Sequence, residues 1–304
     1  MNNAAHTVHL TPDITLSGNG VSVAVLDTGI CPMEDFIIPR NRIICFKDFV
    51  NGKNYPYDDN GHGTHVAGCL GANGYLSKGK FRGIAPSCNI VCLKILDETG
   101  SGTAKWSFDA IRWLIENKEK YNIKIVNMSV GTNDRSIYSS LSYAANMLWQ
   151  KGLVVCAASG NNNPRGITSP GINNSIITIG SWEEHKIFSL SNNKNTYSKP
   201  DVFAPGKDIV SCMSNTFLFS MGNRSKDKIV DNYYIKMSGS SMSTPIVSGA
   251  AAILLEKYPI LNNDEVKDII ISSANSPENP QLLNIKNMLL TAQKYVEMPK
   301  NIRI

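Results

Sequence analysis

Short apolar runs alternate with segments of helical periodicity along most of the chain. The first run, residues 21–26, is rich in β-branched residues and ends at the turn signal Asp27-Thr28-Gly29. Because continuous apolar strands alternate with helices, the pattern predicts an α/β fold with a mainly parallel central sheet and helices on both faces. Strands are predicted at 21–26, 43–46, 90–95, 123–130, 153–158 and 176–179, and helices at 104–120, 137–151, 246–255, 263–273 and 288–296.

The same pattern predicts one domain behind a short polar start. Residues 1–19 are predicted to form an N-terminal arm or linker, and residues 20–304 the domain, because neither an internal repeat nor a low-complexity linker divides them. Residues 191–200 are predicted to be a polar loop. Residues 214–236 are predicted to be a surface insertion or hairpin.

Composition and charge narrow the classes of function. The chain has 304 residues, 42% hydrophobic and 18% charged, which suffices for a large buried core. Its net charge of +5 comes from scattered Lys and Arg, so we predict no nucleic-acid partner. We also predict no membrane partner, because no apolar run reaches the roughly 18 to 20 residues of a membrane span.

The seven cysteines are predicted to be buried free thiols, because most lie in apolar contexts such as Val91-Cys92-Leu93. Their odd number fits a reducing compartment better than an oxidising one. Cys88 and Cys92 share a predicted strand without a second pair, which is not a metal signature.

Three polar residues lie at the ends of predicted elements. Asp27 ends the first strand, where open parallel sheets form sites, although an aspartate there is more often a turn former. His62 precedes a predicted helix, and a metal site shared with His65 is disfavoured because no glutamate lies between them. Ser241 precedes the small-residue helix, where a serine is usually a cap but where backbone N–H groups also favour negative charge.

Taken together, these residue types are the components of nucleophilic catalysis. A serine hydroxyl becomes a good nucleophile when a histidine takes its proton, and a carboxylate then fixes the histidine tautomer. The chain resembles the subtilisin family of serine proteases, the subtilases, and most of all their intracellular AprX-like branch. The resemblance covers roughly residues 20–275 and shares the Asp, His, Ser order for which subtilisin is the type example. It rests on Val25-Leu26-Asp27-Thr28-Gly29-Ile30, Asn60-Gly61-His62-Gly63-Thr64-His65-Val66-Ala67-Gly68 and Gly239-Ser240-Ser241-Met242-Ser243-Thr244-Pro245.

The resemblance implies a three-layer subtilisin-like fold and a serine endopeptidase that works through an acyl-enzyme. Asp27 would orient His62, which would act as base and then acid, and Ser241 would be the nucleophile. Asn161 matches the oxyanion asparagine, although its own Asn-rich context favours a turn residue. The implied substrate-binding residues are Gly100, Ser101, Gly102, Ser129, Val130, Gly131, Ala158, Ser159, Gly160 and Thr168.

Two other classes of function compete with this interpretation. A non-catalytic subtilase relative that binds peptides or regulates a partner usually loses triad residues, and this chain keeps them. An α/β-hydrolase esterase requires Gly-x-Ser-x-Gly and a serine that comes first in the order, and neither is present.

The implied partners are protein or peptide substrates in extended conformation, and a propeptide or an inhibitor stays open. The pocket for the residue before the cut has no charged lining, so we expect it to prefer an apolar side chain. Asp58 and Asp59 either favour a basic residue one position further upstream or form a solvated loop. Ser240 and Ser243 stand where the family more often has threonine and alanine, and activity is expected to survive because both are small.

The chemistry requires no cofactor. Residues 73–80 do not match the calcium loop of secreted subtilisins, so structural calcium stays open but no metal site is predicted. The apparent lack of a secretory segment favours a bacterial cytoplasm, and secretion after removal of a signal and propeptide is the alternative.

Overall fold

Among the residues that the computed structural model describes, seven strands form a central sheet in which every neighbouring pair is parallel. The described residues are 2–132, 139–161, 166–183, 188–192, 195–215, 227–274 and 281–299. The strands are β1 (Ser22–Asp27), β2 (Ile43–Asp48), β3 (Asn89–Lys94), β4 (Ile123–Met128), β5 (Val154–Ala158), β6 (Ile177–Ser181), β7 (Phe188–Asn192), β8 (Asn195–Lys199), β9 (Val202–Ala204), β10 (Ile209–Cys212), β11 (Ile229–Asp231) and β12 (Tyr234–Met237). The sheet order is β2-β3-β1-β4-β5-β6-β9, which confirms the predicted mainly parallel sheet.

Helices surround this sheet. They are α1 (Asn2–Thr7), α2 (Glu34–Ile37), α3 (His62–Gly71), α4 (Ala104–Asn117), α5 (Ser140–Gln150), α6 (Ser240–Lys257), α7 (Asn263–Ser273) and α8 (Ile285–Glu297). Helix α6 packs against β4, β5 and β6, and its apolar and small residues are buried along almost the whole helix. Within the described part, none of these helices combines the length and the apolarity that a bilayer crossing requires.

The strand order places a crevice at the carboxyl ends of β1 and β4. From β1 the chain continues to β2 and β3 on one side of the sheet, whereas from β4 it continues to β5 and β6 on the other side. A reversal of this kind leaves an open site beyond the carboxyl ends of the two strands. Asp27 ends β1 and Ser129 follows β4, so both residues lie at this crevice.

Two polar segments have more structure than predicted. The polar start contains α1, and Val8 just after it is fully buried and accepts a hydrogen bond from Ile285 N–H at 2.9 Å. The prediction of a polar loop at 191–200 is wrong, because β7 and β8 pair there as an antiparallel hairpin.

The region 214–236 is partly described. Strands β11 and β12 pair as a hairpin and join β10 in a small antiparallel sheet, while residues 216–226 lie outside the described ranges. The helix predicted at 137–151 is α5, with residues 137 and 138 also outside those ranges.

All seven cysteines are free, and six of them are buried, as predicted; Cys45 is half-buried.

Candidate active site

Asp27 and His62 form a hydrogen-bonded pair at the crevice. Asp27 is fully buried at the end of β1, and its Oδ1 accepts a hydrogen bond from Thr28 N–H at 2.8 Å. His62 is the first residue of α3, and its Nδ1 lies 2.7 Å from the same Oδ1. Because a carboxylate accepts this bond, Nδ1 carries the proton, which leaves Nε2 of the neutral ring as a proton acceptor.

The carboxylate also sets the proton affinity of the histidine. Burial alone would lower the pKa of His62, but the charge and hydrogen bond of Asp27 outweigh it, and Asp58 adds a smaller effect. The pKa of His62 is therefore raised above its ordinary value of 6.5. The site thus favours the imidazolium that forms when His62 takes a proton.

Asp58 fixes the start of α3 relative to β1. Its buried carboxylate accepts hydrogen bonds from the Thr28 hydroxyl, from the N–H groups of Asn60 and Gly61, and from both the N–H and the hydroxyl of Thr64. These five bonds join the strand that carries Asp27 to the helix that carries His62. Asp58 is therefore neither a solvated loop residue nor free to contact a basic substrate side chain.

Asp59 is also occupied, by the buried Lys94 at the end of β3. Lys94 Nζ donates to Asp59 Oδ1 at 2.7 Å, to Thr28 O at 2.6 Å and to Leu96 O at 2.8 Å. For Asp58 both interpretations are therefore wrong, whereas Asp59 is still partly exposed, so the preference for a basic residue stays a prediction for it. The two carboxylates hold together the loops that surround the crevice.

His65 packs inside the protein. Its Nε2 donates to the carbonyl oxygens of Ile209 at 3.0 Å and Ile235 at 3.1 Å, and its Nδ1 accepts from the Cys69 thiol. Burial lowers the pKa of His65 to about 3, so the ring is neutral. The two histidines of the motif thus differ: His62 faces the site, whereas His65 joins β10 and β12.

Ser241 is the second residue of α6, directly beyond the crevice. Its hydroxyl donates to the carbonyl oxygen of Ser129 at 3.1 Å, and the hydroxyl of Ser129 donates in return to the carbonyl oxygen of Ser241 at 2.9 Å. This reciprocal pair ties the start of α6 to the end of β4. The backbone N–H groups at such a helix start favour a negative charge.

Asn161 caps the start of α6 from a loop after β5. Its Oδ1 accepts hydrogen bonds from Ser240 N–H at 2.8 Å and from the Ser240 hydroxyl at 2.9 Å. Because both bonds go to Oδ1, they fix which way the amide faces. Gly239 precedes this turn with φ of +142°, and a Cβ there would lie only 2.7 Å from Asn161 Nδ2. The short distance to Asn161 explains why residue 239 is a glycine.

Two predicted substrate-binding segments line one cavity of about 660 Å³. Gly100–Gly102 lies on one side, held by a bridge between Leu96 and Gly102, and Ser129–Gly131 lies on the other. His62 also lines this cavity. The structure therefore brings both segments together beside the histidine.

A smaller cavity, about 220 Å³, adjoins the first through Ser129, Val130 and Gly131. Charged residues are absent from the part of its lining that the structure describes. Thr132 also lines both cavities, and the other residues around the smaller one are Ala158, Gly160, Asn161, Thr168, Ser240 and Ser241. Ser159 does not line it within the described residues; its N–H donates to Ile179 O and its hydroxyl to Gly160 O.

The side-chain oxygens of Asp35 and Asn73 at the loop after α3 already accept hydrogen bonds. The buried carboxylate of Asp35 lies against this loop, but Oδ1 accepts from Leu76 N–H at 2.8 Å and Oδ2 from the Tyr234 hydroxyl at 2.6 Å. The side-chain oxygen of Asn73 likewise accepts from Tyr75 N–H. These oxygens serve the protein's own donors, so the described residues form no set of free ligands here.

Residues 18–289 match Peptidase S8, the subtilase family. The chain belongs to the subtilase family. It is 39% identical to serine protease AprX of Bacillus subtilis (strain 168) over 84% of this chain and 61% of that protein. It is 30% identical to subtilisin DY of Bacillus licheniformis over 85% of each chain.

The fold comparison agrees. A cold adapted subtilisin-like serine proteinase superposes with a TM-score of 0.68 and 28% identity, covering 89% of this chain and 90% of that one. Sphericase gives the same TM-score at 25% identity, covering 89% and 88%. The three-layer subtilisin-like fold is thereby confirmed. The chain spans about three fifths of the length of AprX.

Within this subtilase site, three residues have roles that the sequence did not reveal. Asp58 and Lys94 connect the segments around the crevice, and Ser240 holds Asn161. One signal was available for Lys94, since a lysine at the end of an apolar strand needs buried partners. Thr28 lies 30 residues from Asp58 and Asn161 lies 79 residues from Ser240, so no local pattern marks these two bonds.

Proposed function

We propose that the chain is a serine endopeptidase that uses Asp27, His62 and Ser241 as its catalytic triad. The observation that carries this proposal is the 2.7 Å bond between buried Asp27 and His62, in a site where Ser129 borders both the His62 cavity and the Ser241 cavity. A histidine with a fixed tautomer and a serine at a helix start, both bordering cavities that share Ser129, are the components that nucleophilic catalysis needs.

The first half-reaction forms an acyl-enzyme. The Ser241 hydroxyl leaves its acceptor on Ser129 and donates to His62 Nε2, which takes the proton as Oγ bonds to the substrate carbonyl carbon. Asp27 stabilises the resulting imidazolium. His62 then gives the proton to the leaving amine as the C–N bond breaks. Water, activated by the same histidine, hydrolyses the ester and returns Ser241 to its hydroxyl form.

The negative charge on the substrate oxygen is stabilised at the start of α6. The backbone N–H of Ser241 and the Nδ2 amide of Asn161 are the proposed donors. In subtilisin, a member of the same family, the loss of such a side-chain donor raises the barrier by about 2.7–4 kcal/mol.

The substrate is a protein or peptide that binds in extended form. Its backbone would pair with Gly100–Gly102 and Ser129–Gly131, as a strand adds to a sheet edge. The side chain before the cut enters the 220 Å³ cavity beside Gly160 and Thr168. Because the described lining of that cavity is uncharged, we expect apolar residues to be preferred there. A peptide series in which Arg was cut fastest would contradict this preference.

We also propose that the protease works in the cytoplasm of a bacterium. Loss of all activity in a reducing buffer would contradict it.

Covalent labelling tests the nucleophile. Wild type treated with a fluorophosphonate should gain one adduct by intact mass, mapped to Ser241, and Ser241→Ala should gain none. Ser243→Ala is the matched control, because Ser243 lies on the same helix but its buried hydroxyl donates to Ala204 O and Pro205 O. Labelled wild type that also cuts an internal peptide bond supports an endopeptidase. A folded wild type without any adduct would favour the non-catalytic, peptide-binding alternative.

A further inference from the structure

A cavity of about 430 Å³ lies at the end of the central sheet opposite the crevice, where the strands begin. It is formed by the segments just before β1, β2 and β3, together with the loop after α3. Because the strands are parallel, these segments gather at their amino ends, whereas the crevice lies at their carboxyl ends. The residues that line it, here called the arginine pocket, are Asn19, Pro39, Arg40, Arg42, Asn73, Gly79, Arg82, Pro86 and Ser87.

The described lining of the arginine pocket is strongly positive. Arg40, Arg42 and Arg82 supply three guanidinium groups, and the other residues that the structure describes there are neutral. Lys78 and Lys80 lie exposed on the same loop and add to the positive field. Three guanidinium groups around one cavity repel one another unless an anion lies between them.

The excess of positive charge is clearest at Arg42. It is only 4% exposed, and its guanidinium donates to the carbonyl oxygens of Gly71, Cys88 and Asp35 at 2.6, 3.3 and 2.5 Å. Within the described residues it forms no ion pair, since the nearby Asp35 carboxylate accepts from Tyr234 and Leu76. Burial, and to a smaller degree the charge of Arg40, lower the pKa of Arg42. A buried cation without a counter-ion is costly.

The other two arginines are exposed residues of the pocket lining. Arg40 is oriented by hydrogen bonds to Asn89 Oδ1 at 2.9 Å and Ser87 O at 3.3 Å. Arg82 is exposed, and its side chain makes neither a hydrogen bond nor an ion pair with the part of the protein that the structure describes. The pocket therefore combines two oriented guanidinium groups with one that can move onto a ligand.

The loop that closes the pocket is held by its own bonds. Gly79 N–H donates to Gly74 O at 2.8 Å, and Phe81 N–H donates to the Ser77 hydroxyl at 3.0 Å. Asp35 Oδ1 anchors the same loop through Leu76 N–H. A ligand would thus meet a preformed site, which lowers the entropic cost of binding.

We propose that the arginine pocket binds a small phosphate-type anion, either free or as the phosphoryl group of a nucleotide. The planar fork of Arg82 matches two phosphate oxygens, and a multivalent anion would neutralise the three arginines better than one carboxylate. The volume lies within the range of small-molecule sites, about 300–1,000 Å³. This proposal does not depend on protease activity.

Calorimetric titration of the Ser241→Ala chain, which cannot digest itself, tests the site. Pyrophosphate is the probe, at constant ionic strength set with sodium chloride. Arg40→Ala/Arg82→Ala should weaken its binding by about tenfold or more, because two charge-assisted contacts are lost. Arg112→Ala is the matched control, since Arg112 is an exposed arginine paired with Asp109 on α4. Arg42 is left unchanged because it holds three carbonyl groups.

Further titrations separate the sources of the anion. Inorganic phosphate and AMP distinguish a free anion from a nucleotide, and binding of either one that depends on Arg40 and Arg82 supports the proposal. A hexaglutamate peptide that binds where pyrophosphate does not would overturn it in favour of an acidic peptide site. Absence of pyrophosphate, phosphate and AMP binding to the unchanged pocket, or equal weakening by Arg112→Ala, would also overturn it.

Discussion

The two reacting residues of the proposed triad begin two helices that are held in different ways. The start of α3, which carries His62, is joined to β1 by the carboxylate of Asp58, with five hydrogen bonds to one buried charge. The start of α6, which carries Ser241, is held by the neutral amide of Asn161 and by Ser129. The difference corresponds to what each residue must do.

A negative charge near His62 assists its role as base, because it favours the imidazolium. A negative charge at the start of α6 would oppose the oxyanion that forms there and would compete for the same N–H groups. A neutral amide can hold the turn without this penalty. We therefore expect changes at α3 to alter pH dependence and stability, and changes at α6 to alter the rate alone.

The largest expected effect is that of Asp27→Asn. The turnover number should fall by about 10⁴-fold, as it does in serine proteases that undergo this change, because the histidine tautomer is no longer fixed. Activity requires neutral His62, so it rises with pH through the His62 pKa, which Asp27 holds above 6.5. Without the Asp27 charge this midpoint should move to lower pH. A pH profile of kcat/KM for a peptide checks this prediction, and an unchanged midpoint would contradict it.

The next effect is on stability, in Asp58→Asn. An amide at this position turns a donor toward groups that are themselves donors, so we expect a loss of about 3 kcal/mol or more in the free energy of unfolding. Urea unfolding in the Ser241→Ala background measures it. Asp109→Asn, which breaks only exposed pairs with Lys105 and Arg112, should cost far less, because solvent screens such pairs. Equal losses in the two variants would show that Asp58 does not hold α3 to β1.

Of the part of the site around His62, the sequence predicted the triad residues but not the residues that hold them in place. The order and types of the triad residues followed from three local motifs, and the apolar strands predicted the sheet because central strands such as β1 and β3 are buried on both faces. Asp58 was misinterpreted and the bond of Asp59 was missed because Thr28 and Lys94 are distant in the chain. The bridge between Gly29 and Asp58 brings Thr28 close to Asp58, and the pairing of β1 and β3 places Lys94 at the same end of the sheet. Adjacent acidic residues look solvated when those partners are unknown.

Elsewhere in the fold, elements with a local sequence signal were predicted and elements without one were missed. Helix α7 begins and ends at the predicted residues. Its start could be predicted because four consecutive residues, Asn262–Glu265, form the capping box. The hairpin of β7 and β8 was missed because residues 191–199 are almost all polar, although Phe188-Ser189-Leu190-Ser191 at its start does alternate. Helix α1 was missed because its short, polar sequence is helical only where Ala4 and Val8 pack against the core.

At the start of α6 the largest expected effect is that of Asn161→Ala. Removal of an oxyanion donor should lower kcat by about 10²–10³-fold, the range known from subtilisin of the same family. KM and the melting temperature should change little, since the N–H groups of a helix start can bind water instead. Asn117→Ala, which removes an amide bonded to Trp113 O on α4, is the control and should leave kcat unchanged. A fall in stability as large as that of Asp58→Asn would remove the contrast between the two helix starts.

The smallest expected effect belongs to Ser240→Ala. It removes the hydroxyl bond to Asn161 Oδ1 but leaves the backbone N–H bond to the same oxygen, so the amide should be held less firmly. The loss of one such bond is worth about 1 kcal/mol, or about fivefold in kcat. Ser240→Thr keeps the hydroxyl and should retain activity. Because Ser240 would act only through Asn161, Ser240→Ala should have no further effect on kcat in the Asn161→Ala background. Additive effects in that cycle would mean that Ser240 supports Ser241 by a route other than the amide.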